Sequence, residues 1–185
     1  MNSIGADPND RKIGEFWEDE FCKMARRYGW EAWPFQRRKG EATFEFEGKR
    51  YVCPDVWILR RNEKQYICEV KHKNAAKNGC YGFELYRQDS MLELESDYYN
   101  QFGRVEALYV VHNHDAAGGK YEKTNNENHW HAQRLRLLSE NAVAGKSRTL
   151  YNGKVTDEEV PILYYPLTLF MPIVIFLDSA SSNAA

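Results

Sequence analysis

Residues 51–73 read YVCPDVWILRRNEKQYICEVKHK, and the rest of the chain is organised around this stretch. Its two ends are rich in aromatic and β-branched residues, which favours strands over 51–59 and 65–71. The segment 60–64 between them consists of charged residues and Asn, which is typical of a hairpin loop. The stretch therefore predicts a β-hairpin.

Three ionisable residues interrupt these otherwise apolar strands: Asp55, Glu69 and Lys71. Side chains alternate between the two faces of a strand, so Glu69 and Lys71 share a face and Val70 points to the other one. In the simplest register of the hairpin, Asp55 comes close to the face of Glu69. We therefore expect two carboxylates and an ammonium group to meet at one edge of the sheet.

Two neighbouring carboxylates need a counter-charge, because burying unpaired charges is costly. Mg²⁺ or Mn²⁺ suits them: Mg²⁺ prefers oxygen ligands, takes one or two carboxylates and keeps several waters. The backbone carbonyl of Val70 is a candidate further ligand, and Lys71 could stabilise developing negative charge or hold an attacking water. The alternative is a surface hairpin in which Glu69 and Lys71 form a solvated ion pair.

Pro54 and Asp55, followed by Glu69, Val70 and Lys71, resemble the PD-(D/E)XK signature of the restriction-endonuclease-like nuclease superfamily. Asp55 and Glu69 are 14 residues apart, which suits a hairpin. The resemblance implies an α/β fold, with a restriction-endonuclease-like mixed central sheet flanked by helices. It also implies metal-dependent hydrolysis of phosphodiester bonds, leaving 5′-phosphate and 3′-hydroxyl ends, with Asp55, Glu69 and Lys71 as catalytic residues.

Residues 11–28 are predicted to form a helix that Gly29 ends. Its apolar stripe comprises Trp17, Phe21, Met24 and Tyr28. On a helical wheel, Glu18 flanks this stripe. The run GEFWEDEF over 14–21, with the closing Gly29, is similar to the first helix of archaeal Holliday-junction resolvases. That resemblance implies that Glu18 completes the metal site, with Glu15 as fallback; a capping or solvated role for Glu18 is the alternative.

Two basic clusters flank the hairpin and are candidate nucleic-acid contacts. They contain Arg37, Arg38 and Lys39 before it, and Lys73 and Lys77 after it. Contact with phosphates is the functional interpretation, and solvated turns are the alternative. The net charge of −2 is not that of a general nucleic-acid binder, so a nuclease must rely on such local patches.

The remaining pattern predicts one α/β domain over 1–178 and a disordered tail at 179–185. Further predicted elements are strands at 31–36, 43–46 and 105–112, helices at 83–102 and 132–140, and a hairpin turn at 151–154. Gln88, early in the helix predicted over 83–102, is expected to be solvated or to cap it; the alternative is a functional glutamine, which several branches of the superfamily place on this helix. The uncharged segment 160–176 contains three prolines, which argues for core-covering segments or a homodimer surface and against a membrane helix.

Four cysteines without CxxC spacing and a polar start without a signal peptide suit a cytoplasmic protein. His112 and His114, and His129 and His131, could hold a transition metal such as Zn²⁺, but polar roles at a strand end and a loop are favoured.

The residues as a whole favour a metal-dependent endonuclease acting on DNA, structure-selective in the manner of a resolvase. An RNA-directed or restriction-type nuclease, and a non-catalytic module that binds nucleic acid or protein, are the alternatives.

Overall fold

The computed structural model describes residues 8–35, 42–60, 64–73, 79–113, 125–151 and 154–178. The helices are α1 Pro8–Arg27, α2 Leu85–Phe102, α3 Leu135–Glu140 and α4 Val174–Asp178, with 3-10 helices at Glu127–His129 and Leu167–Leu169. The first strands are β1 Glu31–Pro34, β2 Thr43–Phe46, β3 Lys49–Val52, β4 Val56–Leu59, β5 Gln65–Lys73 and β6 Cys80–Glu84. The later strands are β7 Val105–Asn113, β8 Trp130–Arg134, β9 Val143–Tyr151, β10 Lys154–Pro166 and β11 Met171–Pro172. No helix within these ranges is both long and apolar enough to cross a bilayer.

The central sheet is mixed and has six strands in the order β1-β4-β5-β7-β8-β11. Strands β5 and β7 run parallel, and the other neighbouring pairs run antiparallel. Parallel neighbours need a long crossover, and here β6 and α2 supply it. The protein is therefore a mixed α/β structure, as the sequence predicts.

Helix α1 packs on one face of this sheet, which we call the α1 face. Its buried side chains recur at helical spacing and include Trp17, Phe21 and Met24 of the predicted stripe. They belong to one core cluster with Cys68 and Val70 of β5. The helix ends before Gly29, as predicted.

Helix α2 packs on the opposite face, which we call the α2 face. Ile67 of β5 belongs to the second core cluster, together with Met91 and Leu94 of α2. Because side chains alternate along β5, Glu69 and Lys71 lie on the same face as Ile67. The predicted division of β5 into two faces is thus observed, and the charged face is the one under α2.

Two smaller sheets complete the fold. Strands β2 and β3 form an antiparallel hairpin, and β6, β10 and β9 form a three-stranded sheet. Glu47 and Gly48 connect β2 to β3 and both have positive φ, at 49° and 77°, which is what a tight hairpin turn requires. Leu163 and Tyr165 of β10 join the core on the α2 face.

The single strand predicted over 51–59 is two strands. Strand β3 ends at Val52 and pairs with β2, whereas β4 begins at Val56 and pairs with β5. Pro54 lies in the break, where its missing N–H and fixed φ prevent a continuous ladder. The break matters for the site because it places Asp55 immediately before β4.

Two predicted helices begin later than expected. Strand β6 takes Cys80–Glu84, so the helix predicted over 83–102 begins at Leu85. Strand β8 takes Trp130–Arg134, which leaves only Leu135–Glu140 helical. In both places pairing with a distant strand overrides the local helical pattern.

The uncharged C-terminal segment covers the core, as one of its two interpretations predicts. Residues 160–166 belong to β10, and β11 and α4 follow. Ile173, Phe176 and Leu177 are buried in the cluster on the α1 face. The predicted tail at 179–185 and the centre of the predicted 151–154 turn lie outside the described residues.

Candidate active site

Asp55 and Glu69 meet on the α2 face where β4 begins. Val56 pairs with Cys68 in the antiparallel ladder, and the Asp55 amide donates to the carbonyl of Cys68 at 2.9 Å. This register places Asp55 beside Glu69. Both carboxylates are buried, at 2% and 0% exposure, so the proximity predicted from the hairpin is observed.

Lys71 bridges the two carboxylates. Its Nζ donates to Oε1 of Glu69 in a short hydrogen bond and lies 3.4 Å from Oδ2 of Asp55. The amide of Val70 donates to the same Asp55 oxygen at 2.9 Å. The solvated surface pair of Glu69 and Lys71 is therefore not what the fold forms, because Glu69 has no solvent exposure.

Arg87 is the fourth charged residue of the cluster, and the sequence analysis missed it. Its Nη2 lies 2.7 Å from Oε1 and 2.8 Å from Oε2 of Glu69, and 3.8 Å from Oδ1 of Asp55. A signal was present, since Arg87 precedes the buried Met91 by four residues. An arginine one turn before a buried apolar residue on a helix faces the same sheet.

The ionisation of the cluster follows from burial opposed by ion pairing. Burial alone would raise the pKa of Glu69, but Arg87 and then Lys71 lower it to about 2. Burial would lower the pKa of Lys71, but Asp55 and Glu69 raise it above its usual value. The pKa of Arg87 is raised by the same two carboxylates against burial. The carboxylates of Asp55 and Glu69 are thus paired with two cations, and Glu84 acts on both of these cations from nearby.

The chemistry of these donors fits a hard divalent cation. Mg²⁺ is commonly held by one or two carboxylates and keeps waters for the rest of its octahedron. Asp55 and Glu69 would hold the ion, with the carbonyl of Val70 as the further ligand. Within the described ranges, no three His, Cys, Asp or Glu side chains form a group that could hold a metal, so no third carboxylate from those ranges joins this set.

Glu18 lies on the helix that covers the other face. Its neighbour Trp17 packs in the same cluster as Cys68 and Val70, whereas Asp55 and Glu69 lie on the α2 face. Glu18 is partly buried and Glu15 is exposed. The structure therefore does not bring Glu18 into a metal-binding group with the two carboxylates of the hairpin.

Lys73 extends the charged face of β5 but points into the protein. Its Nζ donates to the carbonyl of Gly82 at 2.5 Å and lies 5.5 Å from the ring centroid of Tyr109. Burial, with Lys71 nearby, lowers the pKa of Lys73 to about 8. The other basic residues predicted to contact nucleic acid lie outside the described residues: Arg37, Arg38, Lys39 and Lys77.

Gln88 is neither solvated nor a helix cap, so that expectation is wrong. It is buried and accepts a short hydrogen bond from the hydroxyl of Tyr165 on β10. Its position immediately after Arg87 ties the first turn of α2 to the neighbouring sheet. This contact helps to fix the helix turn from which Arg87 reaches the carboxylates.

The predicted histidine pairs do not form a metal centre in the described part of the chain. His112 is fully buried rather than at a polar strand end, and its ring stacks on Trp17 with centroids 3.7 Å apart. Its Nδ1 lies 2.9 Å from Nδ1 of His72, which shares the α1 face. His131 pairs in register with Val111, on the opposite face from His112. His114 lies outside the described residues.

Comparison of the sequence with protein-family models finds no match, and comparison with curated proteins finds none either. The geometry of the charged cluster is therefore the basis for a functional assignment.

Proposed function

We propose that this protein is a Mg²⁺- or Mn²⁺-dependent nuclease with a restriction-endonuclease-like fold. One observation carries the proposal: Asp55 and Glu69, both buried, converge from neighbouring strands and are bridged by Lys71. Folding alone gains little from placing two like charges side by side, because each disfavours ionisation of the other. Such an arrangement is typical of a site that uses the charges for binding or catalysis.

The order of elements supports the fold assignment. A helix precedes the hairpin, a second helix follows it, and the next strand returns parallel to β5. The acidic residues lie where β4 begins and in the middle of β5. These positions support the roles that the PD-(D/E)XK resemblance implies for Asp55, Glu69 and Lys71.

Asp55, Glu69 and Lys71 each have a task in phosphodiester hydrolysis. A divalent cation at the carboxylates would supply charge neutralisation and a more acidic water. Asp55 and Glu69 bind that cation, and the amide of Val70 fixes one oxygen of Asp55. Lys71 lies beside both carboxylates, where its ammonium stabilises charge that develops on the phosphate.

DNA is the proposed substrate, with cleavage selective for branched structure, on the resemblance of the first helix to resolvases. RNA-directed and restriction-type cleavage are the competing substrate assignments within the same chemistry. A homodimer would suit an enzyme that cuts two strands. The resemblance of the first helix also proposes Glu18 as an additional ligand, whereas α1 covers the face opposite the carboxylates.

A non-catalytic binding module is the second candidate function. The observation in its favour is that Lys71 and Arg87 already neutralise Asp55 and Glu69. In that interpretation the cluster is a buried ion-pair network that specifies the fold.

A cleavage panel separates the two candidates. Branched, duplex and single-stranded DNA, and RNA, are incubated with the protein in Mg²⁺ or Mn²⁺, with EDTA as the control. We expect metal-dependent cutting that Asp55→Asn abolishes, since Asn can still accept the hydrogen bond of Val70 but loses the charge. Cutting that persists in EDTA or in the variant contradicts the proposed site, and a protein that binds DNA without cutting favours the module.

A further inference from the structure

The guanidinium of Arg87 occupies the place of a counter-cation at the proposed metal site. Its Nη2 contacts both oxygens of Glu69, at 2.7 and 2.8 Å, and approaches Asp55 at 3.8 Å. These are the oxygens that would bind the divalent ion. The inference that follows rests on the proposed function, because it concerns what happens to Arg87 when that ion binds.

Charge balance makes it unfavourable for a divalent ion to bind the carboxylates while Lys71 and Arg87 both remain paired with them. Among the described residues the formal charges of this region balance: three are negative, on Asp55, Glu69 and Glu84, and three are positive, on Lys71, Lys73 and Arg87. Adding a divalent cation to this neutral group leaves an excess of two positive charges in a buried site. Since uncompensated buried charge is costly, the metal must displace a cation from the carboxylates or arrive with an anion.

Arg87 is suited both to leave the carboxylates when the metal binds and to bind an anion that arrives with the metal. It reaches the site from α2, and its side chain retains 15% exposure. Its Nε is buried and has no hydrogen-bond acceptor among the described residues. A buried N–H without an acceptor costs free energy, and a phosphate oxygen is an acceptor that the guanidinium fork matches geometrically.

We propose that Arg87 exchanges partners during the reaction cycle: it neutralises Glu69 in the metal-free protein and binds a substrate phosphate in the metal-loaded protein. Arg87 is thus a phosphate-binding residue whose availability depends on the metal. Metal binding frees Arg87 for the nucleic acid, and nucleic acid stabilises the freed arginine. Metal and nucleic acid therefore bind with positive coupling, and by linkage the coupling is the same in both directions.

Calorimetric titration of Ca²⁺ into the EDTA-treated full chain tests the exchange, with and without a short DNA duplex. Ca²⁺ serves as a hard divalent probe of the carboxylates. Arg87→Met removes the competing cation, so Ca²⁺ alone should bind at least about tenfold tighter, at the lower end of coupling energies for close charge pairs. In saturating Ca²⁺ the duplex should bind this variant about tenfold more weakly, and the coupling should disappear.

Arg134→Met is the matched control. Arg134 also pairs with a glutamate, Glu106 at 2.9 Å, and lies 5.7 Å from the Phe176 ring of the α1-face cluster. Its loss should leave both affinities within about twofold of the wild type, since the pair is partly exposed.

Arg87→Lys provides the second variant if Arg87→Met does not fold. It keeps a cation for Glu69 but loses the fork, so Ca²⁺ affinity should stay within about threefold of the wild type while duplex affinity in Ca²⁺ falls. Unchanged or weaker Ca²⁺ binding by Arg87→Met, or unchanged duplex affinity in either variant, overturns the exchange and leaves the proposed nuclease site standing. Absence of Ca²⁺ binding both by the wild-type protein with the duplex and by the folded Arg87 variant overturns both proposals.

Discussion

Two buried glutamates lie at the interface between helix α2 and the central sheet, and their carboxylates have different kinds of partner. Glu95, on α2 itself, accepts a hydrogen bond from the amide of Ala107 on β7 at 2.7 Å and forms an ion pair with Arg136 at 2.6 Å. Glu69, on β5, contacts the side chains of Lys71 and Arg87 and, within the described residues, no backbone amide. Glu95 joins a helix to a strand, whereas the polar contacts of Glu69 among the described residues are with charged side chains.

The difference supports a structural role for Glu95 and the proposed functional role for Glu69. At Glu95 a single carboxylate satisfies a backbone donor that the fold must satisfy somewhere. At Glu69 a second carboxylate, Asp55, lies alongside, and two cations are needed to offset the repulsion. The group at Glu69 contains more charge than packing requires, which is why we propose catalysis there and a structural role for Glu95.

The largest expected effect is the loss of cleavage in Lys71→Ala. Removing an ammonium that stabilises charge in the transition state should reduce the cleavage rate by about 10²–10³-fold. Folding should persist, because Glu69 keeps its contacts with Arg87. Lys64→Ala, which removes a partly exposed ammonium 3.6 Å from Glu106, is the matched control. Cleavage by Lys71→Ala at the wild-type rate would remove Lys71 from the mechanism.

Acid should weaken the ion pairs of Glu69 within a defined window. The folded pKa of about 2 lies below the ordinary value of 4.5, so this stabilisation is complete above about pH 4.5 and is lost as the pH falls toward 2. At most about 3 kcal/mol is involved, from 1.36 kcal/mol per pKa unit.

Urea titrations from neutral pH to about pH 2.5 measure this loss. Glu69→Gln does not titrate at this position, so its unfolding free energy should fall less steeply with pH than that of the wild-type protein. The comparison uses slopes, because Glu69→Gln also changes stability at neutral pH. Equal slopes would show that Glu69 is not held as a charged partner of Arg87.

Glu95→Ala tests the other half of the comparison. The substitution leaves the amide of Ala107 buried without its acceptor, which costs about 1–3 kcal/mol of unfolding free energy. Glu95→Gln keeps an acceptor and should cost less. Denaturant unfolding measures both, and cleavage per folded molecule should match the wild type. A selective loss of cleavage in Glu95→Gln would place this glutamate in the functional site.

Much of the charged site is predictable because it is encoded locally. The hairpin is closed by a short loop, so its register follows from the positions of Asp55 and Glu69 and from strand alternation. The same alternation places Lys71 next to them. The stripe of Trp17, Phe21 and Met24 is likewise a local periodic signal, and all three are buried.

Contacts that depend on how helices and strands pack against each other could not be predicted from local sequence patterns. Arg87 reaches Glu69 only because α2 packs at one particular position on the sheet. The sequence of the helix alone does not determine that position. Glu95 finds the Ala107 amide for the same reason. Strand β8 replaced a predicted helical turn because β7 offers it a pairing edge, and that edge exists only in the assembled sheet.

The smallest expected effect comes from an ion pair on the surface. Lys146 and Glu159 join β9 to β10 at 3.0 Å, and the Lys146 side chain is 70% exposed. Water and salt screen this pair, so Lys146→Ala should change the unfolding free energy by no more than about 1 kcal/mol. Denaturant unfolding at low and high salt measures the change, which should shrink as salt rises. A larger, salt-independent loss would show that exposure does not rank the ion pairs of this protein by their contribution to stability.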